Sequence, residues 1–442
     1  MNLTAPAPRA GRIGPILLNP GYGPKQVISF LFVTCVSVSL MEFANVMTPL
    51  ILGQQLHLAP TKQGLLAGSL GAVQQIGTMI FIMAGGALAD TVGRRMTLIW
   101  MLLGLFFCIL AYPFVSSILL LFVLRFLWGV AFSGYASAPA IAIDIPQERS
   151  RGKFNAIVLL TPWLAASGFV LVSSRWPAWF KSLGYGPHAA LVCTFGLAAL
   201  LPLIGIFTTL AFLNVKSAPQ APKASLSVLG HAGQIFAKIK EVLAYARVNR
   251  TYGVSLFIGT VARTDTLIIG SFLGLWVVNA GRVGGVEAVV AIKTAGVIAA
   301  IRFVTKVVCA PLFGIINDKV SRTTLMLVSL GLMTGAFWFF GLITNALGVM
   351  MMVGAFLLGI AESAEAIASQ TLLAQEAPAH LRGSSMGVYS FLGTGSLMAI
   401  SLTGGYLFDK VGFSSPLVME GVLHFIVLVI ALWMLRKGGA PA

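Results

Sequence analysis

The 442-residue sequence is short of charge: Asp, Glu, Lys and Arg together make up 10% of it, where soluble domains carry about 25%. That excludes an ordinary water-facing surface. Hydrophobic residues reach 57% and the mean hydropathy is +0.92, so the solvent that this chain expects is lipid. Cysteine is also scarce. Cys35, Cys108, Cys193 and Cys309 stand singly in apolar runs, which excludes a paired zinc site or a disulfide framework, and they read as packing residues. No GxxxxGK[ST] loop is present to cradle a nucleotide, and there is neither an HExxH zinc pair nor a GxSxG nucleophile turn, so ATP-driven pumping and those hydrolase chemistries are disfavoured. No metal or cofactor is expected. The opening residues, MNLTAPAPRAGRIGPILLNPGYGPKQ, lack the short apolar core and small-residue cut site of a cleaved leader and read as a short tail.

What is present is one apolar run after another. Runs long enough to cross a bilayer as helices fall near 28–53, 62–89, 96–114, 117–143, 154–174 and 188–213, then 252–279, 287–316, 323–343, 347–374, 384–408 and 414–435. The fold class is therefore an all-α membrane protein of twelve spans. Between the sixth and seventh lies a Pro/Ser/Lys stretch followed by Ile235, Ile239, Val242 and Leu243 at helical spacing, a linker ending in an amphipathic helix. The expected organisation is a six-helix half at 1–214, a linker at 215–250 and a second half at 251–442.

Positive charge sets the orientation. Arg94 and Arg95, Arg149, Arg151 and Lys153, the linker, Lys319 and Arg322, Arg382, and Arg436 with Lys437 all fall on one side of this count, which makes that side and both termini cytoplasmic. The net charge of +16 then reads as topology-setting charge beside anionic lipid, with no nucleic acid required.

A repeat runs through the chain. GALADTVGRRMTL at 86–98 matches GIINDKVSRTTLM at 314–326, placing Gly86, Asp90 and Arg94 against Gly314, Asp318 and Arg322 in four-residue steps. IDIPQERSRG at 143–152 pairs with QEAPAHLRG at 375–383, so Asp144 and Arg151 answer Glu376 and Arg382. The two six-span halves are thus pseudo-symmetric, an arrangement that builds many secondary transporters. At the end of the second span, paired glycines allow close helix approach in lipid, and an acid beside two arginines can latch one conformational state. Gly86, Asp90, Gly93, Arg94 and Arg95, with Asp144, Arg151, Gly314, Asp318, Arg322, Glu376 and Arg382, form that expected latch.

GALADTVGRR resembles the loop motif that follows the second span in the major facilitator superfamily, through Gly86, Asp90, Gly93, Arg94 and Arg95; Thr91 stands where the family often has a basic residue. RFLWG at 125–129 is similar to the fourth-span motif of the same superfamily, through Arg125 and Gly129. The resemblance covers the whole chain and implies alternating access by two rocking halves. Drug antiporters of that superfamily carry a Gly-Pro, Gly-rich fifth span; VLLTPWLAASGFVLVSS has only Pro162 and Gly168, which weakens an antiporter reading.

Ionisable groups in mid-bilayer are costly and therefore functional candidates. The acids are Glu42, Asp265, Glu362 and Glu365; the bases are Arg125, Arg263, Arg302 and Lys306. Glu362 and Glu365 are three apart and Arg302 and Lys306 four apart, so each pair shares a helix face. Crowded carboxylates such as Glu362 and Glu365 favour holding a proton, and so does Glu42, alone on an apolar span; with Asp265 these are the expected proton carriers. Arginine suits bidentate capture of a carboxylate or phosphate, so Arg125, Arg263, Arg302 and Lys306 are the expected substrate ligands, with hydrogen bonds from Asn45, Gln74 and Tyr135. The sequence thus reads as a proton-coupled transporter of a small or amphipathic organic anion, monomeric and multi-pass in the plasma (inner) membrane. Its alternative is a proton-driven efflux antiporter for lipophilic compounds. A channel is disfavoured because acids and bases are mixed rather than ringed by one sign.

Overall fold

The computed structural model describes residues 11–214, 239–262, 264–378 and 381–436, apart from the side chains of 83–88, 90, 91, 370, 371, 374, 375, 382, 383 and 390. Arg263 and Ile235 lie outside the described residues, as do the surroundings of Gly86 and the side chains of Asp90 and Arg382.

Among the described residues twelve helices are long and apolar enough to cross a membrane: Pro24–Gln55, Pro60–Ile82, Arg94–Phe114, Ile118–Asp144, Glu148–Ser182 and Pro187–Phe212, then Thr264–Val283, Ala288–Lys319, Arg322–Gly341, Val349–Ser369, Ser384–Lys410 and Ser415–Arg436. They form two compact units. One comprises Met1–Ala44 with Val73–Gln220, the other Asn45–Ala72 with Ala221–Ala442.

The two copies of the repeated motif start the following helix by different means. Gly93 adopts φ 99°, open to glycine and strained for other residues, and its carbonyl accepts from the Thr97 amide at 3.2 Å. Ser321, in the matching place, keeps an ordinary φ and caps with its side chain, accepting from the Thr324 amide at 3.1 Å.

Two equivalent spans depart from regular α-helix. In the first, Pro49 removes a backbone donor and a π turn follows at Ile51–Gln55. The seventh, expected as one run over 252–279, is broken: helix Arg250–Ile258 ends at Gly259, residues 260–262 are not helical, and the next described helix is Thr264–Ile268. Gly259 marks the break, since a Cβ there would come 2.4 Å from the Tyr389 ring. The restart places Asp265 in a first helical turn, where the helix dipole favours negative charge. A π turn at Ile269–Leu273 follows, and Gly270 within it packs against the Asn45 amide.

The first unit is cored by rings. Phe43 meets Phe195 edge-on at 5.0 Å, and Tyr112 stacks on Phe195 at 5.7 Å and meets Trp128 edge-on at 6.1 Å. In the second, Val254, Ile258, Leu325, Leu330, Leu372 and Val427 pack as one aliphatic cluster. The end of the linker is helical over 239–248, and Ile239 and Val242 go into a core with Tyr252, Leu256 and Leu373. At the start of the second span Asp409 accepts from the Gly64 and Leu65 amides, at 2.7 and 2.9 Å, and so caps that helix. Gly64 and Gly405 are what let the chains approach, since a Cβ on either would meet the other's carbonyl oxygen at under 3 Å.

The segment before the first span is pinned rather than a plain tail. Arg12–Ile13 and Ile16–Leu17 make a small antiparallel hairpin, and Leu18 bridges to Pro146. The Asn19 amide donates to the Ile145 carbonyl at 2.9 Å, the Asn19 side chain to the Asp144 carbonyl at 2.8 Å, and the Gln147 amide to the Leu17 carbonyl at 2.8 Å. Leu18 is fully buried there. The strap therefore lies along the loop that carries Asp144.

Candidate functional site

In the first unit the fourth span is drawn tightly onto the second by a glycine. A Cβ on Gly129 would lie 2.0 Å from the Gln74 carbonyl oxygen, a distance at which the backbones must part, and Thr78 Oγ1 donates to the Gly129 carbonyl at 3.1 Å. One turn back on the same helix, Arg125 Nη1 consequently reaches Gln74 Oε1 at 2.9 Å, with its guanidinium 5.6 Å from the Tyr112 ring centroid. Arg125, Gln74 and Glu42 are all buried. Tyr135 stacks on Phe132 at 5.4 Å and is half-buried.

The second unit repeats the device with different chemistry. A Cβ on Gly359, in the tenth span, would meet the Arg302 carbonyl oxygen at 2.6 Å and Thr305 Cβ at 2.7 Å. One turn on, Glu362 is therefore brought to the eighth span, where Arg302 Nε donates to its Oε2 at 3.1 Å and Lys306 Nζ stands 3.8 Å from the same oxygen. The i, i+4 pair of bases thus meets the first of the two acids.

Glu365, one turn further, goes to a partner that sequence reasoning missed. His424, in the last span, has Nε2 3.3 Å from Glu365 Oε1, while its Nδ1 is 2.9 Å from the Glu420 carbonyl oxygen. Phe337 covers the imidazole at 5.5 Å, and Thr264 hydrogen-bonds the Glu420 carboxyl. Asp265 lies within electrostatic reach of Glu362, Glu365, Lys306 and His424, and its own Oδ1 accepts from the Thr266 amide at 2.6 Å. Asp265, Arg302, Glu362, Glu365, Glu420 and His424 are between 0% and 4% exposed. Four acids, one permanent base and a histidine are therefore buried together, with Lys306 partly exposed beside them, in an interior where unbalanced charge costs several kcal/mol. Among the described residues no group of three or more His, Cys, Asp or Glu is arranged to hold a metal ion. Glu420 and His424 carried a signal that went unread, an acid and a histidine four apart in an otherwise apolar span.

The expected latch residues are only partly joined. Arg94 forms an ion pair with Asp144, and Arg95 donates to the Leu210 carbonyl. Tyr22, at the end of the strap, is half-buried against this pair; burial and the Asp144 charge raise its phenol above the usual range, with Arg94 opposing. Arg151 and Asp318 are exposed, and Gly314 has nothing within 4 Å of where a Cβ would stand.

The model of the Major Facilitator Superfamily matches residues 30–289 and 256–441 of this chain. The chain belongs to the major facilitator superfamily. Several proteins are similar to it in sequence or in fold. The magnetosome protein MamH of Paramagnetospirillum magneticum is 22% identical over 422 residues, covering 93% of each chain. The magnetosome protein MamZ of the same organism is 25% identical over 177 residues, which is 40% of this chain and 27% of that protein. Among solved structures, the nucleoside transporter NupG superposes with a TM-score of 0.70 at 12% identity, covering 93% of this chain and 99% of that one. A D-xylose-proton symporter does so with 0.64 at 16%, covering 92% and 97%. At such identities the likeness establishes the fold. As a superfamily member the chain is a multi-pass membrane protein of a transporter family, and its neighbours are transporters.

Proposed function

We propose that this chain is a proton-coupled secondary transporter that carries a small or amphipathic organic anion by alternating access. One observation supports the reading most directly: a single buried carboxylate, Glu362, answers both Arg302 and Lys306. With Glu362 ionised the trio has two positive charges and one negative, a net of +1; a proton on Glu362 raises it to +2 and releases the guanidinium. An anion is then held best by the protonated form, so protons and anion travel together. The sign follows: uptake rises as the pH on the entry side falls.

In this reading Glu362, Glu365 and Asp265 handle protons in the second unit and Glu42 in the first. Arg302 and Lys306, with Arg125 and Gln74, supply the anion-binding donors, and Asn45, Tyr135 and Arg263 complete the set. Asp90, Gly93, Arg94, Arg95, Asp144, Arg151, Asp318, Arg322, Glu376 and Arg382 act at the helix ends as the latch, in a monomer with both termini cytoplasmic. The plasma (inner) membrane is the proposed location, and the likeness to MamH adds the magnetosome as the alternative address, which membrane fractionation distinguishes. The excess of acids over permanent bases in the second unit favours the rival reading, export of a lipophilic cation in exchange for protons. A thermal-shift screen of monocarboxylates, dicarboxylates, organophosphates, amino acids and cationic dyes separates the two. Stabilisation by an anion that is lost in Arg302→Ala supports the proposal; stabilisation by dyes alone, undiminished in Arg125→Ala and Arg302→Ala, rejects it.

A further inference from the structure

His424 has no place in the charge pattern that the sequence displays, yet it is completely buried and both of its nitrogens meet oxygen. A backbone carbonyl can only accept, so the Nδ1 that lies 2.9 Å from the Glu420 carbonyl carries a proton. That fixes the tautomer. In the neutral ring Nε2 is then a lone pair, and it stands 3.3 Å from Glu365 Oε1. A lone pair facing an ionised carboxylate oxygen is repulsive. The contact becomes favourable when one proton lies between the two atoms, either on the ring as imidazolium against carboxylate or on Glu365 as an acid donating to imidazole. A second proton would set imidazolium against a neutral acid and forfeit the ion pair in a site that excludes water.

We infer that Glu365 and His424 bind one exchangeable proton between them, which makes His424 a proton-binding residue of the second unit. Neither Glu365 Oε1 nor His424 Nε2 has a hydrogen-bond partner among the described residues, and they stand 3.3 Å apart, so a proton between them would satisfy two buried atoms at once. The surrounding charges are Glu420 on the same span, Asp265 on the seventh, Arg302 and Lys306 on the eighth, and Glu362 on the tenth; the ninth contributes the Phe337 ring. Permanent positive charge is thus spent on Glu362, one turn away, and Glu365 is left to the titratable partner. Binding adds one proton and one positive charge to the pair; release returns the pair to neutral imidazole beside carboxylate. That released form is the repulsive one, so it persists only if the last and tenth spans separate at this level or another donor arrives. Its use in coupling rests on the proton-coupled reading proposed above.

The site can be tested without knowing the substrate. The chain has five histidines, so nitrogen-15 histidine labelling of the full chain in lipid, with His424 assigned by loss of its signal in His424→Gln, reads the state of both nitrogens. Infrared difference spectra against Glu365→Gln, or Glu365→Asp if the amide variant does not fold, read the carboxyl. At neutral pH Nδ1 is expected to be protonated, with exactly one of Nε2 and Glu365 protonated as well; in Glu365→Gln the ring is expected to be neutral throughout the titration. A neutral ring beside an ionised Glu365, a charged ring beside a protonated Glu365, or a ring whose titration ignores Glu365→Gln would each overturn the inference. Failure of a pH gradient to drive transport would instead sink the coupling reading and leave the shared proton standing.

Discussion

Gly129 and Gly359 show how single residues place charge in lipid. Each sits where a Cβ would be driven into the carbonyl of a neighbouring span, and each has a buried ionic residue one turn away, Arg125 in one case and Glu362 in the other. Helix association in lipid depends on close packing and not on expulsion of water, so a glycine that sets the approach also sets the reach of Arg125 to Gln74 and of Arg302 to Glu362. Overpacking of this kind costs roughly 1–3 kcal/mol. Gly129→Val and Gly359→Val are accordingly expected to lower the unfolding midpoint in detergent and weaken anion-dependent stabilisation. Gly168→Ala and Gly314→Ala, at positions with open space around them, are expected to match the parent. Equal midpoints for all four would contradict the packing argument.

At the scale of elements, the strap over residues 12–19 joins the loop at 144–150 through backbone pairing rather than side-chain charge, with Leu18 as its apolar plug. Removing a fully buried leucine side chain typically costs about 2–5 kcal/mol. Leu18→Ala should therefore release the strap, raising hydrogen exchange at the Asn19 and Gln147 amides while leaving the span interiors protected. Unchanged exchange at those two amides would show that the strap is not held by its plug. None of this was legible beforehand, because a hairpin of two-residue strands has no period to read, and its partner, Asp144 to Ser150, is distant in sequence. The spans were legible, since twelve apolar runs are each long enough to cross the hydrocarbon core as a helix. The break in the seventh was not, because Val261 and Ala262 continue the apolar run and the constraint at Gly259 comes from Tyr389, far along the chain. Among the charges, spacing puts Arg302 and Lys306 on one helix face, which is a local property, but it does not say that Glu362 stands opposite them. That Glu365 turns away to His424 is a tertiary fact: it depends on which spans pack against the tenth.

Across the whole molecule, two repeated halves carry different charge. The first unit sets a buried arginine beside a neutral amide; the second holds four acids against two permanent bases and a histidine. The pseudo-symmetry is thus kept in the backbone, at the π turns of the first and seventh spans and the glycine contacts of the fourth and tenth, while ionisable chemistry concentrates in the second half. Proton coupling through Glu362 is the central claim, and it is tested most directly in sealed proteoliposomes containing the full chain and loaded with a pH dye. The anion that stabilises the protein best is added outside, with and without an imposed inward proton gradient. The account predicts that the gradient drives accumulation of the anion, that the anion in turn drives protons inward, and that Glu362→Gln, its trio fixed at the charge of the protonated form, loses the gradient dependence. Accumulation that ignores the proton gradient and follows sodium, or gradient dependence that survives intact in Glu362→Gln, would contradict it.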